Sequence, residues 1–214
     1  MSDHKLQAGQ PGEYYLLRPD VTRGGKGLGV EFVNEDRLRT PPRLILRPEG
    51  GGFPPMHETP ILQYVPKLGH APEDMEDGMS GYWLVSDRLK QVFQSVDPSG
   101  FEFVECEYRL PDGSEGPRYH LCDVVRTLDA LDESASRLTV EHSDEFPEGK
   151  FYNLLGGASL RFRKDVVDDS HVFILPYSGD LVICDRALRD AVIAAGMGVE
   201  GRSRGVWLTD AADI

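Results

Sequence analysis

Two stretches of the chain, Trp83–Phe93 (WLVSDRLKQVF) and Val182–Val192 (VICDRALRDAV), lie over one another without a gap. Each reads as an apolar strand, a capping residue and then a helix. Ser86 and Asp185 fall where a side-chain oxygen can take up a free N–H of the first helical turn. Leu89, Val92, Phe93 and Val96 recur at the spacing of one helix face, and Leu188, Ala191, Val192 and Ala195 do the same in the second stretch. Pro98 and Gly100 stop the first helix, and Gly196 stands where a C-terminal cap glycine belongs. A chain with two such junctions must place each strand in a sheet and lay each helix against it. The likeness fits an internal duplication, and it equally fits the general resemblance of strand-to-helix junctions.

The rest of the pattern predicts strands. Glu13–Arg18, Val30–Phe32, Leu44–Leu46 and Ile61–Val65 are short apolar runs in the first third. Phe101–Tyr108 (FEFVECEY) alternates at the period of a half-buried strand. Tyr119–Val125, Phe151–Leu155, Leu160–Phe162, His171–Tyr177, Leu181–Cys184 and Val206–Leu208 follow, and residues 128–137 read as a turn or short helix. Residues 48–80 are rich in Gly, Pro and acid and weak in regular structure. The expectation is an α+β fold of mostly antiparallel sheet with a few helices. Residues 1–80 would form an irregular N-terminal lobe with short strands, and residues 81–214 the main domain.

Charge is distributed unevenly. The net charge is −13 over 214 residues. Residues 101–150 hold thirteen acidic against five basic residues, and residues 51–100 hold seven against three. An acidic face of this kind repels nucleic acid and anionic membrane and favours a basic protein partner. The candidate contact residues are Glu73, Asp74, Glu76 and Asp77, then Asp129, Asp132, Glu133, Glu141, Asp144, Glu145 and Glu148. No run approaches the roughly 18 apolar residues of a membrane span. The start lacks the basic and apolar regions of a signal peptide, so the expected location is cytoplasmic. Three cysteines, Cys106, Cys122 and Cys184, are too few and too scattered for a disulfide framework.

Catalytic signatures do not complete. Gly24–Gly29 (GGKGLG) has neither the spacing nor the following Ser/Thr of a phosphate loop. Ser80 and Ser159 each miss one glycine of a nucleophile elbow. Of the six histidines (His4, His57, His70, His120, His142, His171), only His120 has a nearby cysteine, Cys122. No second ligand pair completes a zinc site. Neither catalytic residues, a metal site nor a cofactor is expected.

The order of motifs in the second half resembles a known family. An aromatic–apolar–apolar–Ser–Asp–Arg–Leu run stands at Trp83–Leu89. Tyr119–Cys122 follows, then Asp129-Ala130-Leu131-Asp132-Glu133 with Ser136, and then an apolar strand and closing helix at His171–Ala195. The pattern looks like bacterial immunity-protein family eleven of polymorphic toxin systems, over about residues 81–214, with Tyr14-Tyr15 the only match before them. The close, GVEGRSRGVWL, is longer than the family pattern. The resemblance implies a non-enzymatic protein, encoded beside a toxin, that binds that toxin and protects the producing cell. A basic toxin, such as a nuclease, would suit the charge. The alternatives are a small hydrolase of unknown substrate and a non-catalytic adaptor of a secretion apparatus.

Overall fold

The structure, a computed structural model, describes residues 12–22, 27–39, 41, 44–146 and 148–214. Among these the strands are β1 (Tyr14–Pro19), β2 (Val30–Phe32), β3 (Ile61–Tyr64), β4 (Met75–Met79), β5 (Tyr82–Ser86), β6 (Phe101–Arg109), β7 (Tyr119–Val124), β8 (Thr139–His142), β9 (Lys150–Asn153), β10 (Val172–Leu175), β11 (Leu181–Asp185) and β12 (Val206–Asp210). The helices are α1 (Asp87–Val96), α2 (Lys164–Val167) and α3 (Arg186–Ala194). Six strands form one sheet in the order β2-β3-β6-β7-β5-β4, four form a second in the order β10-β11-β1-β12, and β8-β9 stand apart as a hairpin. Among these strands every pairing is antiparallel except β3 with β6, so the fold is the α+β arrangement expected. Strands from the first eighty residues are hydrogen-bonded into both larger sheets.

Both capped junctions form as the sequence predicts. The Ser86 hydroxyl accepts the Leu89 N–H at 3.2 Å, and the Asp185 carboxylate accepts the Leu188 N–H at 3.0 Å. Leu89 and Phe93 of α1 and Leu188 and Val192 of α3 are buried in one core. That core lies between the two larger sheets, receiving Val85, Cys122 and Phe101 from one and Leu17, Val182, Cys184 and Val206 from the other. The outer face of the four-stranded sheet is covered by Leu131, Tyr152, Leu160 and Phe162. The outer face of the six-stranded sheet is covered by Leu38, Ile45 and flanking residues. The three cysteines are buried and unbridged.

The likeness of the two junctions extends to the sheets. In one half the chain runs hairpin β4-β5, helix α1, strand β6, strand β7, and β7 lies between β5 and β6. In the other it runs hairpin β10-β11, helix α3, strand β12, and the central place is taken by β1, from the opposite end of the chain. One alignment satisfies the registers, apart from a shift between Glu76 and Met79 in β4 that β10 lacks. Ser86 pairs with Tyr119 as Asp185 pairs with Tyr14, and Met75 pairs with Val85 as Val172 pairs with Cys184. Phe101 pairs with Val124 as Val206 pairs with Pro19. Gly100 precedes β6 and Gly205 precedes β12. A Cβ on Gly100 would lie 2.4 Å from Val172 Cγ1, and one on Gly205 would lie 2.0 Å from the Met75 carbonyl oxygen. Each glycine thus lets its half close on the first strand of the other. The two halves share one topology, circularly permuted in the second.

Several expectations need correction. Leu44–Leu46 is not a strand: Ile45 alone is buried, and its two neighbours face outward. Leu160–Phe162 is not a strand but makes one isolated bridge, Phe162 to Leu131. Of the turn or short helix expected over residues 128–137, the turn forms, flanked by bridges. The acid-rich stretch before residue 80 contains β4, and β8 was unforeseen. His4 and Gly24–Lys26 lie outside the described residues, while Gly29 packs against Gly69.

Candidate partner-binding surface

The histidines were the strongest chemical candidates. His120 on β7 is 2% exposed, and its Nε2 lies 3.2 Å from Asp87 Oδ1 at the start of α1. Its Nδ1 is buried without a hydrogen-bond partner. Burial pushes its pKa down, against the pull of Asp87, so the ring is held neutral. His171 stands just before β10 in the other half, with Nδ1 2.8 Å from Asp185 Oδ2. Neither ring lines the cleft described below. The Ser159 N–H donates to the Arg137 carbonyl, and the Ser80 hydroxyl donates to Glu35. Among the described residues no three His, Cys, Asp or Glu side chains are grouped to hold a metal ion, and no helix is long and apolar enough to cross a membrane.

The first predicted acidic cluster divides. Asp74 is 3% exposed, accepting the Ser86 hydroxyl at 2.6 Å and Arg204 Nε at 2.6 Å. Glu76 is buried and accepts the Glu73 N–H at 2.7 Å. Asp77 is exposed on β4, and Glu73 borders a cleft described below. Asp74 and Glu76 hold the molecule together from inside.

The second cluster stays outside and gathers at one hairpin. β8 and β9 pair from Thr139↔Asn153 to His142↔Lys150. The described tip residues Asp144, Glu145 and Glu148 are exposed. Phe146 in the tip stacks on Phe151 with centroids 5.6 Å apart. Glu133 bonds Lys150 Nζ at 2.7 Å and the Tyr152 hydroxyl at 2.7 Å, which brings it to the root of this hairpin. The Lys150 and Tyr152 hydrogen bonds draw the Glu133 carboxyl below its usual range. Lys150 Nζ also lies 4.2 Å from the Tyr177 ring centroid. Asp132 folds back on Ser134, whose hydroxyl and N–H lower its pKa, and Glu141 accepts the Asn153 amide at 2.6 Å. Asp129 is exposed, and its carbonyl accepts from Arg163. Tyr152, 1% exposed, anchors the hairpin in the core, while Leu155 at its foot is 87% exposed. The result is a negative projection with an uncovered leucine at its base.

A cleft of about 690 Å³ lies elsewhere, between the residues after β1 and the connection from α3 to β12. Val199, Val206, Trp207 and Leu208 give it an apolar floor, and Asp20, Glu73, Glu200 and Arg202 stand round it. The glycine-rich excess in GVEGRSRGVWL was the sequence signal for this cleft.

These features define an α+β protein of two like halves that presents charged and apolar surface rather than an assembled catalytic set among its described residues. The chain belongs to the Immunity protein family (Imm11), whose model matches residues 13–213. None of the curated proteins matches it.

Proposed function

We propose that the protein binds a cognate toxin and neutralises it, protecting the cell that makes both. The family match over residues 13–213 carries this reading. The acidic hairpin supports a basic toxin domain, such as a nuclease, met in the cytoplasm. A negative, projecting element raises the encounter rate with a positive partner and makes that rate fall with salt. Glu133, Asp144, Glu145 and Glu148 form the proposed contact, with Asp129, Asp132 and Glu141 at its border and Leu155 as its apolar anchor.

Co-expression with the C-terminal domain encoded by the adjacent gene tests the reading: growth should be restored and the two proteins should co-purify. Continued toxicity with no complex would sink it. The triple variant Asp144→Asn, Glu145→Gln, Glu148→Gln should slow association about ten-fold at low salt and flatten its salt dependence, with dissociation little changed. An unaltered association rate would place the contact elsewhere.

A further inference from the structure

The acidic hairpin carries one residue that works against its charge. Lys150 is the only lysine or arginine between Thr139 and Asn153, a span that holds Glu141, Asp144, Glu145 and Glu148. A ribbon that served by negative charge alone would have no use for it. A ribbon of two strands is also marginally stable by itself, so its pose depends on what ties it down.

Lys150 is the centre of that tie. Its Nζ donates to Glu133 Oε1 at 2.7 Å and to the Tyr152 hydroxyl at 3.1 Å, and the hydroxyl donates to the same Glu133 oxygen at 2.7 Å. The Tyr177 ring adds a cation–π contact, with its centroid 4.2 Å from Nζ, and stands at 87° to the Tyr152 ring. The Tyr152 N–H donates to the Tyr177 carbonyl at 2.6 Å. Tyr177 has φ 61°, a conformation that strains a bulky residue, and both its carbonyl and its ring meet the hairpin. Glu133 comes from the connection before β8, and Tyr177 from the turn between β10 and β11. Burial works against the Lys150 charge, but the Glu133 and Tyr152 hydrogen bonds outweigh it and hold its pKa above the usual lysine range.

We infer that Lys150 is a positioning residue: with Glu133, Tyr152 and Tyr177 it clasps the hairpin in the pose that meets the toxin. The inference rests on the immunity reading and on the hairpin as its contact. A ribbon ordered beforehand loses less conformational freedom on binding, and the gain is read chiefly in slower dissociation. Net charge acts instead on the encounter rate. At Lys150 the two effects therefore oppose one another, which makes them separable.

The test uses the full chain and the purified C-terminal toxin domain. Lys150→Met removes the clasp and leaves the hairpin one charge more negative. Its association at low salt should equal or exceed the parent's, while its dissociation should quicken about ten-fold. In the free protein, hydrogen exchange should rise at the Glu141 and Phe151 amides, which the Ser143–Gly149 bond places on the ladder by alternation. Exchange at the buried Val85 and Leu121 amides should stay as it was. Tyr177→Leu, which removes the ring without changing the charge, should repeat the faster dissociation and hairpin exchange, and Tyr177→Phe, which keeps the ring, should repeat neither. A Lys150→Met complex that dissociates no faster than the parent's overturns the clasp and leaves the immunity reading standing. Core amides that quicken as much as the hairpin's also overturn it, because Lys150 would then serve the whole fold. Failure of the parent chain to form any complex overturns both.

Discussion

The two halves share a plan and a register, yet they solve the same local problem with different chemistry. At the seam where the first hairpin strand meets the helix cap, one half sets Asp74 against Ser86 and the other sets His171 against Asp185. The backbone beneath is the same: Ser86 N–H donates to the Asp74 carbonyl at 2.9 Å and Asp185 N–H to the His171 carbonyl at 3.1 Å. The groups that close the seam from the opposite half differ. The Asp74 N–H is accepted by the Arg204 carbonyl, while the His171 N–H is accepted by the Asp97 carboxylate at 2.9 Å. Geometry set by strand pairing and capping is shared by the two halves, and side-chain pairing differs on top of it. Arg126, the partner of Asp97, is more buried than Arg204, the partner of Asp74, so the seam held by Asp97 should be the more costly to break.

The largest effect should come from Asp97. It is 4% exposed, pairs with Arg126 through both terminal nitrogens, and also takes the Val172 N–H at 3.3 Å. Asp97→Ala strands a guanidinium, the buried Val172 N–H and the part-buried His171 N–H and should cost about 3–5 kcal/mol. Asp74→Ala leaves Arg204, whose side chain is 46% exposed and can return to water, so the loss should be about 1–2 kcal/mol. Urea midpoints decide the matter, and an Asp74→Ala as damaging as Asp97→Ala would reverse the ranking of the seams. Burial works against the Asp97 charge, but Arg126 and the His171 N–H overcome it and hold the pKa below the usual carboxylate range. Its contribution is therefore complete above about pH 4 and lost as pH falls through the lowered native value. The acid limb of the stability curve should be shallower in Asp97→Ala.

Much of this architecture could be read in the sequence where the signal was local. Ser86 and Asp185 were legible because a cap needs only one oxygen at one position, and the two helices because their apolar faces are periodic. β4 was hidden because Met75–Met79 (MEDGM) has neither β-branched residues nor clean alternation; it is a strand through its pairing with β5. Leu44–Leu46 misled for the opposite reason, three apolar residues of which only Ile45 has a core to enter. The acidic clusters were visible as composition, but whether a carboxylate is surface or seam depends on distant partners. Asp74 meets Arg204 across 130 positions of sequence, and no local pattern foretells that. The permutation was equally hidden, since the partner of β11 is the first strand of the chain.

A smaller effect separates His120 from its counterpart Tyr15. Asp87, Lys90 and Glu105 are the charged groups that act on the His120 ring. Its folded pKa is lowered below the unfolded value of about 6.5, so below that pH the unfolded chain gains a proton that the folded chain refuses. Stability contributed by the neutral ring is present above pH 6.5 and declines as pH falls toward the native value. His120→Gln should lessen the loss of stability between pH 7 and pH 5. Chemical denaturation at both pH values measures it, and an unchanged difference would show that the buried ring takes up its proton freely.

The smallest effect expected is from cutting the chain. In one half β6 and β7 are joined by the turn at Leu110–Ser114, while in the other β12 and β1 hold the same register with no covalent link among the described residues. If pairing and core contacts carry the register, the turn is as dispensable as its missing counterpart. A permutant that links Ile214 to Gly12 by a short flexible linker and opens between Asp112 and Gly113 exchanges the roles of the two halves. The ends are close enough, since the Ala211 N–H donates to the Tyr14 carbonyl at 2.9 Å. Loop closure costs change slowly with length, so the melting temperature should stay within about 5 °C of the parent. Collapse of the permutant, with the parent's Gly12–Ile214 segment folding normally, would mean that the β6–β7 turn nucleates the fold and that the two halves are alike in form but not in how they are built.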